Sequence, residues 1–270
     1  MNKILCSTGA LLPYGGDYRQ LEMLSRQLTC DGYEFMMDAP YYKEAEALKQ
    51  FFQQSGLYTP ILHCEKGIGE SIGQGGDAQW ADALEKFEIN CDIARSIGAE
   101  KMVLHLWNGI PSDSKFQNNL NGYRYLDAIA RRYGIGLLVE NVVCTVGNPM
   151  GRLCQLRERY PEIRFVFDTK MAAFHGQLDS LYDPEYAWLW QDGYLAHYHV
   201  NDYAGGYMDW ENLRPLPIGK GNLDFTRFFE FVNRTGYAGS FTTEATAYGS
   251  RAFQPEMLNG QFQYIRDHLK

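Results

Sequence analysis

The sequence contains no hydrophobic run that approaches the roughly 18 to 20 apolar residues of a membrane-spanning helix. Its first stretch, residues 1–12, is interrupted by Ser7, Thr8 and Gly9 before the apolar core of a signal peptide could form. We therefore expect a soluble, cytoplasmic protein that has no contact with a membrane.

Basic residues are fewer than acidic residues, and the cysteines are not clustered. Lys and Arg together number 25 against 33 Asp and Glu, which gives a net charge of -8. Such a chain repels a phosphate backbone, so we expect no nucleic-acid partner. The six cysteines form no CxxC pair, which favours reduced thiols, although their even number leaves a secreted disulfide framework open.

No stretch rich in Pro, Gly or Ser marks a linker, so we predict a single domain over residues 1–270. Short apolar or β-branched runs alternate with longer amphipathic runs, an order typical of parallel strands joined by helices. The predicted strands are Lys3–Cys6, Tyr33–Met37, Thr59–His63, Lys101–His105, Gly136–Glu140, Arg164–Asp168, Ala196–Val200 and Ser240–Glu244. The predicted helices are Tyr18–Leu28, Glu44–Phe52, Asp77–Ile97, Tyr123–Tyr133, Met150–Arg159, Phe225–Arg234, and two less regular segments, Ser180–Trp190 and Glu256–Leu269.

Eight such units in 270 residues average about 34 residues each, close to the size of a (β/α)₈ barrel. We predict an α/β fold, a single (β/α)₈ TIM barrel with parallel strands. A doubly wound open sheet is the alternative.

Carboxylates and histidines concentrate at the C-terminal ends of the predicted strands. Glu140, Asp168 and Glu244 end the fifth, sixth and eighth strands, and His199 lies near the end of the seventh. A barrel brings these ends to one mouth, where active sites of this fold are built. His197, two residues before His199, shares its face of the strand, and we expect it to be buried or to support the site.

Three carboxylates crowded at one mouth would repel one another unless a cation neutralised them. We therefore predict a divalent metal held by Glu140, Asp168, His199 and Glu244. Three oxygen ligands with one imidazole suit Mn²⁺, Co²⁺, Fe²⁺ or Mg²⁺, and Zn²⁺ is a further candidate. His63 and His105 end the third and fourth strands and are candidates for a second metal site or for substrate binding.

The runs LLVENVV, FVFDTKMA, HYHVNDY, PIGKGNLDF and GYAGSFTTEA resemble, in order, the strand-end motifs of the xylose-isomerase-like barrel superfamily. That superfamily contains sugar epimerases and isomerases as well as AP endonucleases, and the resemblance covers nearly the whole chain. It implies that Glu140, Asp168, His199 and Glu244 hold one divalent metal, as in the ketose epimerases. It also matches His63 and His105 to positions that carry additional zinc in the endonucleases.

The sequence departs from these motifs in three places. Met171 stands where the family pattern has a histidine, no Asp-x-His precedes the GKG run, and no arginine follows the HYHVNDY run. The first two departures remove ligands of the endonucleases' trinuclear zinc cluster, which argues against DNA repair. The third implies substrate contacts that differ from those of the ketose epimerases.

Further side chains are predicted to contact substrate at the mouth. Lys170 shares a face with Asp168 if the sixth strand continues that far, although it could instead pair with Asp202. The predicted substrate-binding residues are Trp107, Lys170, His175 and Lys220, and Tyr14 and Tyr248 lie in predicted mouth loops. The glycine-rich run Gly67 to Gly73 lacks the GxGxxG spacing of a dinucleotide site, and we expect a flexible loop over the mouth.

We predict a metal-dependent isomerase or epimerase of a sugar or sugar derivative. The metal would chelate two adjacent substrate oxygens and stabilise an ene-diolate. Glu140 and Glu244, on opposite sides of the substrate, would exchange protons as general base and acid. The alternatives are a metal-dependent lyase such as a dehydratase, or a hydrolase, on the same site, and a non-catalytic sugar-binding barrel. The identity of the sugar and assembly into a homo-oligomer stay open.

Overall fold

The computed structural model describes residues 2–245 and 253–270, so Tyr248 lies outside the described residues. Eight parallel strands pair in chain order, and the first also pairs with the last, which closes the sheet into a barrel. The strands are β1 Lys3–Ser7, β2 Gly32–Met36, β3 Ile61–His63, β4 Lys101–Leu104, β5 Gly136–Glu140, β6 Arg164–Asp168, β7 Leu195–His199 and β8 Ser240–Thr243. The predicted TIM barrel is confirmed.

All eight predicted strands are present, and β5 and β6 match the prediction residue for residue. The other strands shift at an end by one or two residues. The predicted strand Thr59–His63 begins only at Ile61. Pro60 has no N–H to donate to a neighbouring strand, which accounts for the late start.

Helical segments follow the strands. The α-helices of the described residues are α1 Leu21–Ser25, α2 Ala45–Ser55, α3 Gly67–Gln74, α4 Asp77–Ser96, α5 Phe116–Arg132, α6 Pro149–Arg159, α7 Thr169–Phe174, α8 Trp188–Gln191, α9 Phe225–Thr235 and α10 Pro255–His268. Short 3₁₀ turns cover Thr8–Ala10, Tyr18–Gln20, Ala39–Glu44, Leu178–Tyr182, Pro184–Tyr186 and Trp210–Asn212. None of the described helices is both long and apolar enough to cross a membrane. All six cysteines are free thiols.

Two predicted helices are shorter than expected. Tyr18–Leu28 is a 3₁₀ turn followed by the five residues of α1. Ser180–Trp190 breaks into short pieces, because Pro184 cannot donate the backbone hydrogen bond that a continuous helix needs. A new turn begins there, and the Asp183 side chain accepts a hydrogen bond from the backbone N–H of Glu185.

The prediction of a flexible loop at Gly67 to Gly73 is wrong, because these residues form most of α3. Ile68 and Ile72, four residues apart, are fully buried on one face of this helix. A Cβ at Gly69 would collide with the backbone carbonyl of His105. The glycine therefore serves close packing of α3 against the chain after β4 rather than loop flexibility.

The barrel interior is built in layers that follow the two-residue period of the strands. Its apolar layer consists of Leu5, Ile61, Val103, Leu138 and Val166. Two residues further along four of these strands, on the same face, stand the polar residues His63, His105, Glu140 and Asp168. The apolar layer thus closes the barrel beneath a layer of ionisable groups.

One loop beside this mouth is held by a buried charge. Asp113 accepts hydrogen bonds from the backbone N–H groups of Thr145, Val146 and Gly147 at 2.7 to 2.9 Å. Its Oδ2 also lies 2.6 Å from Nη2 of Arg152. Burial opposes ionisation, but these donors outweigh it and lower the pKa of Asp113 to about 2.

Replacing Asp113 with Asn should destabilise the protein by about 2 kcal/mol, because a buried charged acceptor of several hydrogen bonds is lost. The melting temperature should fall by roughly 4 to 8 °C. In the wild type the folded pKa lies below the ordinary value of 3.8. This stabilisation is therefore present above about pH 4 and is lost as the pH falls towards 2.

Thermal melts at pH 7 and across the acid range would measure both effects. The control is Asp82→Asn, since Asp82 pairs with Lys86 at the surface, and we expect it to change stability by less than about 0.5 kcal/mol. Equal melting temperatures for the Asp113 variant and the wild type would contradict the assigned role.

Candidate metal centre and cavity

Four polar side chains from consecutive strands converge at the C-terminal mouth of the barrel. Glu140, Asp168 and His199 are the last residues of β5, β6 and β7, and Glu244 directly follows β8. One potential ligand atom from each of Glu140, Asp168 and His199 lies within 4.8 Å of the other two. Nδ1 of His199 is 3.1 Å from Oε1 of Glu140 and 3.7 Å from Oε1 of Glu244. The structure thus brings together the four predicted metal ligands, which we call the mouth cluster.

Two asparagines that the sequence analysis missed form hydrogen bonds with Asp168, and one of them also bonds to Glu244. Nδ2 of Asn201 donates to Asp168 at 3.0 Å and to Glu244 at 2.9 Å. Asn141 forms a pair of hydrogen bonds with the backbone N–H and carbonyl of Asp168. Asn201 follows His199 by two residues, and that spacing was a signal in the sequence.

The three carboxylates of the mouth cluster repel one another when no cation lies between them. The pKa of Asp168 is raised to about 6, because burial and the nearby Glu140 and Glu244 outweigh the lowering effect of Lys170. Burial also opposes ionisation of Glu140, but His199 and His105 outweigh it and hold that pKa below the ordinary range. Three carboxylates and one imidazole are a donor set that a divalent cation would both fit and neutralise.

His63 and His105 form a second group of potential ligands around Glu140. Nε2 of His105 lies 2.7 Å from Oε2 of Glu140, and Nε2 of His63 lies 3.5 Å from the same oxygen. Nδ1 of His63 donates to the carbonyl of Cys64, which leaves Nε2 with its lone pair and without a hydrogen-bond partner. The structure therefore places His63 and His105, the residues predicted for a second metal site or for substrate binding, next to the same carboxylate oxygen.

Beneath the mouth cluster lies Glu34, a fully buried carboxylate in the middle of β2 that the sequence analysis did not select. It contacts His199 and His197, the latter also fully buried, as expected. Its pKa is lowered because these two imidazoles outweigh the effect of burial. The signal available in the sequence was one carboxylate within an otherwise apolar strand, GYEFM.

A cavity of about 330 Å³ opens above the cluster. Its lining residues are Ser7, Gly9, Leu12, Tyr14, Met36, Met37, Asp38, Glu65, Lys66, Lys170, Pro215 and Glu244. Glu244 is the member of the mouth cluster that lines this cavity, whereas Glu140 is deeper and almost fully buried. The cations among the described lining residues are Lys66 and Lys170.

Lys170 reaches the cavity by a different route from the one predicted. The strand β6 ends at Asp168, and Lys170 lies in the first turn of α7. Its Nζ is 3.7 Å from Oδ2 of Asp168. Asp202 instead accepts hydrogen bonds from the backbone N–H groups of Gly219 and Gly221, and thereby holds the GKG loop.

The other three predicted substrate contacts lie elsewhere. Trp107 is fully buried and donates its indole N–H to the carbonyls of Val142 and Val143. Nε2 of His175 accepts a hydrogen bond from the backbone N–H of Cys144 at 2.9 Å. Lys220 is exposed on the GKG loop and is not part of the described cavity lining.

The protein is therefore a (β/α)₈ barrel with a cluster of carboxylates and an imidazole at the C-terminal mouth. The chain belongs to the xylose isomerase-like TIM barrel family, whose model matches residues 24–268. A comparison with curated protein sequences gives no significant match.

Several solved structures have a similar fold. A D-tagatose 3-epimerase-like protein is 17% identical, with a TM-score of 0.73 and coverage of 98% of this chain and 96% of that one. An L-ribulose 3-epimerase is 15% identical, with a TM-score of 0.75 and coverage of 100% and 95%. A 3-keto-D-glucoside 4-epimerase from E. coli is 18% identical, with a TM-score of 0.71 and coverage of 99% and 100%. At these identities the likeness establishes the fold.

Proposed function

We propose that the protein is a divalent-metal-dependent epimerase or isomerase of a sugar or sugar derivative, which removes and returns the proton next to a substrate carbonyl. The observation that carries this proposal is the placement of Glu140 and Glu244. They stand at the two ends of the arc formed by β5 to β8, and both approach Nδ1 of His199. Two proteins of similar fold are named as sugar epimerases and a third as a D-tagatose 3-epimerase-like protein, which supports the proposal.

The donor set of the mouth cluster fits a divalent cation, and Glu140, Asp168, His199 and Glu244 would hold it. When bound, such an ion would orient two adjacent substrate oxygens and stabilise the negative charge that develops as the proton leaves. Mn²⁺, Co²⁺ and Mg²⁺ suit the oxygen-rich set, and Zn²⁺ is a further candidate.

The chain's own groups supply the proton transfers. The pKa values of Glu140 and Glu244 both lie below the ordinary range. Burial opposes this, but His199 and His105 outweigh it at Glu140, and His199 and Lys170 outweigh it at Glu244. Both side chains are therefore carboxylates near neutral pH and can accept a proton. Glu244 lines the cavity and Glu140 lies deeper, and we propose that the reacting carbon of the substrate binds between them.

The proposal is tested with a panel of ketoses and sugar derivatives in D₂O, using protein loaded with Mn²⁺ or Co²⁺. We expect at least one sugar to be converted to its epimer or isomer, with deuterium at the carbon next to the carbonyl. Tight binding of metal and sugar without turnover would instead support the non-catalytic sugar-binding barrel.

Lys170 is expected to donate a hydrogen bond to a substrate oxygen, because it is a buried cation that lines the cavity beside Asp168. Lys170→Met should lower kcat/KM by roughly 10- to 100-fold, the value of one hydrogen bond from a charged group. Steady-state kinetics and metal content would be measured together.

The matched comparison is Lys220→Met on the exposed GKG loop. We expect it to change kcat/KM by less than about twofold, since surface substitutions usually have small effects. Similar losses in both variants would contradict the role assigned to Lys170.

A second candidate function is a two-metal hydrolase. The lone pair of His63 Nε2, which faces Glu140, favours it, since a second cation there would complete a two-metal site. Counting bound metal by native mass spectrometry separates the candidates. One ion per chain supports the epimerase or isomerase, and two ions support the alternative.

A further inference from the structure

A hydrogen-bonded group of side chains runs along the barrel axis beneath the mouth cluster. Oε2 of Glu34 accepts hydrogen bonds from Nε2 of His199 at 3.3 Å and from Nε2 of His197 at 3.1 Å. Oε1 of Glu34 also approaches Nε2 of His199, at 3.1 Å. The hydroxyl of Thr242 donates to Oε2 of Glu34 at 2.7 Å. Ser240 contacts the other ring nitrogen of His197 at 2.8 Å. We call Glu34, His197, Thr242 and Ser240 the axial group.

The proton positions in this group follow from the chemistry of the acceptor. An ionised carboxylate can only accept hydrogen bonds, so Nε2 of His199 and Nε2 of His197 must both carry hydrogen where they face Glu34. Glu34 is fully buried, and a buried carboxylate is tolerated only when such donors satisfy it. The axial group thus fixes which nitrogen of His199 faces Glu34.

We infer that Glu34 is a positioning residue for the metal centre, which holds Nε2 of His199 by a hydrogen bond and so turns Nδ1 towards Glu140 and Glu244. This inference rests on the proposed function, because Nδ1 is useful there only as a metal ligand. A carboxylate behind a ligating imidazole also makes the imidazole a more basic ligand. Glu34 itself is absent from the described cavity lining, so its effect on catalysis is exerted through His199.

The test compares Glu34→Gln with Asp113→Asn, which also removes a buried charge that accepts several hydrogen bonds but lies outside the mouth cluster. Both variants should lower the melting temperature. Co²⁺ titration, followed by calorimetry and visible absorption, should show affinity about 10- to 100-fold weaker in Glu34→Gln alone. Glu34→Asp, which keeps the carboxylate on a shorter side chain, should recover part of the loss.

A second readout needs no variant. In wild-type protein loaded with Zn²⁺, ¹⁵N spectra of the histidine rings should show His199 bound through Nδ1 with hydrogen on Nε2. A folded Glu34→Gln variant with wild-type Co²⁺ affinity would overturn the inference, as would His199 bound through Nε2. A wild type with two bound ions, one of which disappears in Glu34→Gln, would also overturn it by making Glu34 a ligand. Wild-type protein that binds no metal would instead refute the metal centre of the proposed function.

Discussion

Replacing Glu140 or Glu244 with Gln should lower kcat by about 10²- to 10⁴-fold, the usual contribution of a general acid or base. Each glutamine keeps the shape of the side chain but cannot accept a proton. Glu140 is held by His199 and His105, and Glu244 by Asn201, so we expect the amides to occupy nearly the same positions. The effect should therefore appear in proton transfer more than in folding.

Metal content must be measured alongside, because both glutamates belong to the proposed ligand set. The sharper measurement is exchange in D₂O, in which each variant that keeps its metal should lose deuterium incorporation on one face of the substrate carbon. Glu22→Gln, at a surface pair on α1, is the control and should leave exchange unchanged. Turnover without any deuterium incorporation would contradict freely exchanging carboxylates and favour a shielded proton or a hydride shift, as in an aldose isomerase.

The convergence of the mouth cluster could be predicted because strands have a two-residue period. Leu138 and Val166 face the apolar interior, so Glu140 and Asp168, two residues on, must face the same way at a higher level. Parallel pairing then brings all strand ends to one mouth. These two rules require only residue type and spacing, both of which the sequence contains.

Glu34 was missed because the same reasoning considered polar residues at strand ends, whereas Glu34 is the third residue of β2. Strands in a barrel are tilted and staggered, so a mid-strand residue can lie beneath the end of a strand across the barrel. Its distance to His199 depends on this stagger. The residue type alone still required a partner, since a buried carboxylate cannot remain unpaired.

The positions of Trp107 and His175 could not be predicted, because both lie outside the strands where the two-residue period applies. Trp107 turns towards the carbonyls of Val142 and Val143, and His175 towards the backbone N–H of Cys144. Their partners belong to the loop after β5, more than 30 residues away along the chain from either side. Sequence spacing gives no measure of such loop-to-loop contacts.

Removing divalent metal should lower the stability of the protein, and Mn²⁺ or Co²⁺ should restore it. An ion that binds only the folded state stabilises it by about 2.7 kcal/mol at a hundredfold excess over its dissociation constant. For a chain of this size that corresponds to a rise in melting temperature of roughly 5 to 10 °C. Melting curves with EDTA, and then with each ion, would measure the effect, and curves that coincide would remove the metal from the proposed function.

The pH dependence of stability tests whether the raised pKa of Asp168 destabilises the metal-free protein. Without metal, burial and the neighbouring carboxylates raise the pKa of Asp168 from 3.8 to about 6 in the folded protein. A carboxyl whose folded pKa is raised stabilises the fold less as the pH rises through that interval, because the folded state holds its proton more tightly than the unfolded state. Metal-free Asp168→Asn protein, which has no proton to lose at this position, should therefore gain stability relative to the wild type between about pH 4 and pH 6.

A bound cation keeps Asp168 ionised and should abolish this pH dependence in the wild type. A stability difference between the two metal-free proteins that stays constant across that interval would contradict a raised pKa of Asp168, caused by burial and the neighbouring carboxylates, as a source of this instability.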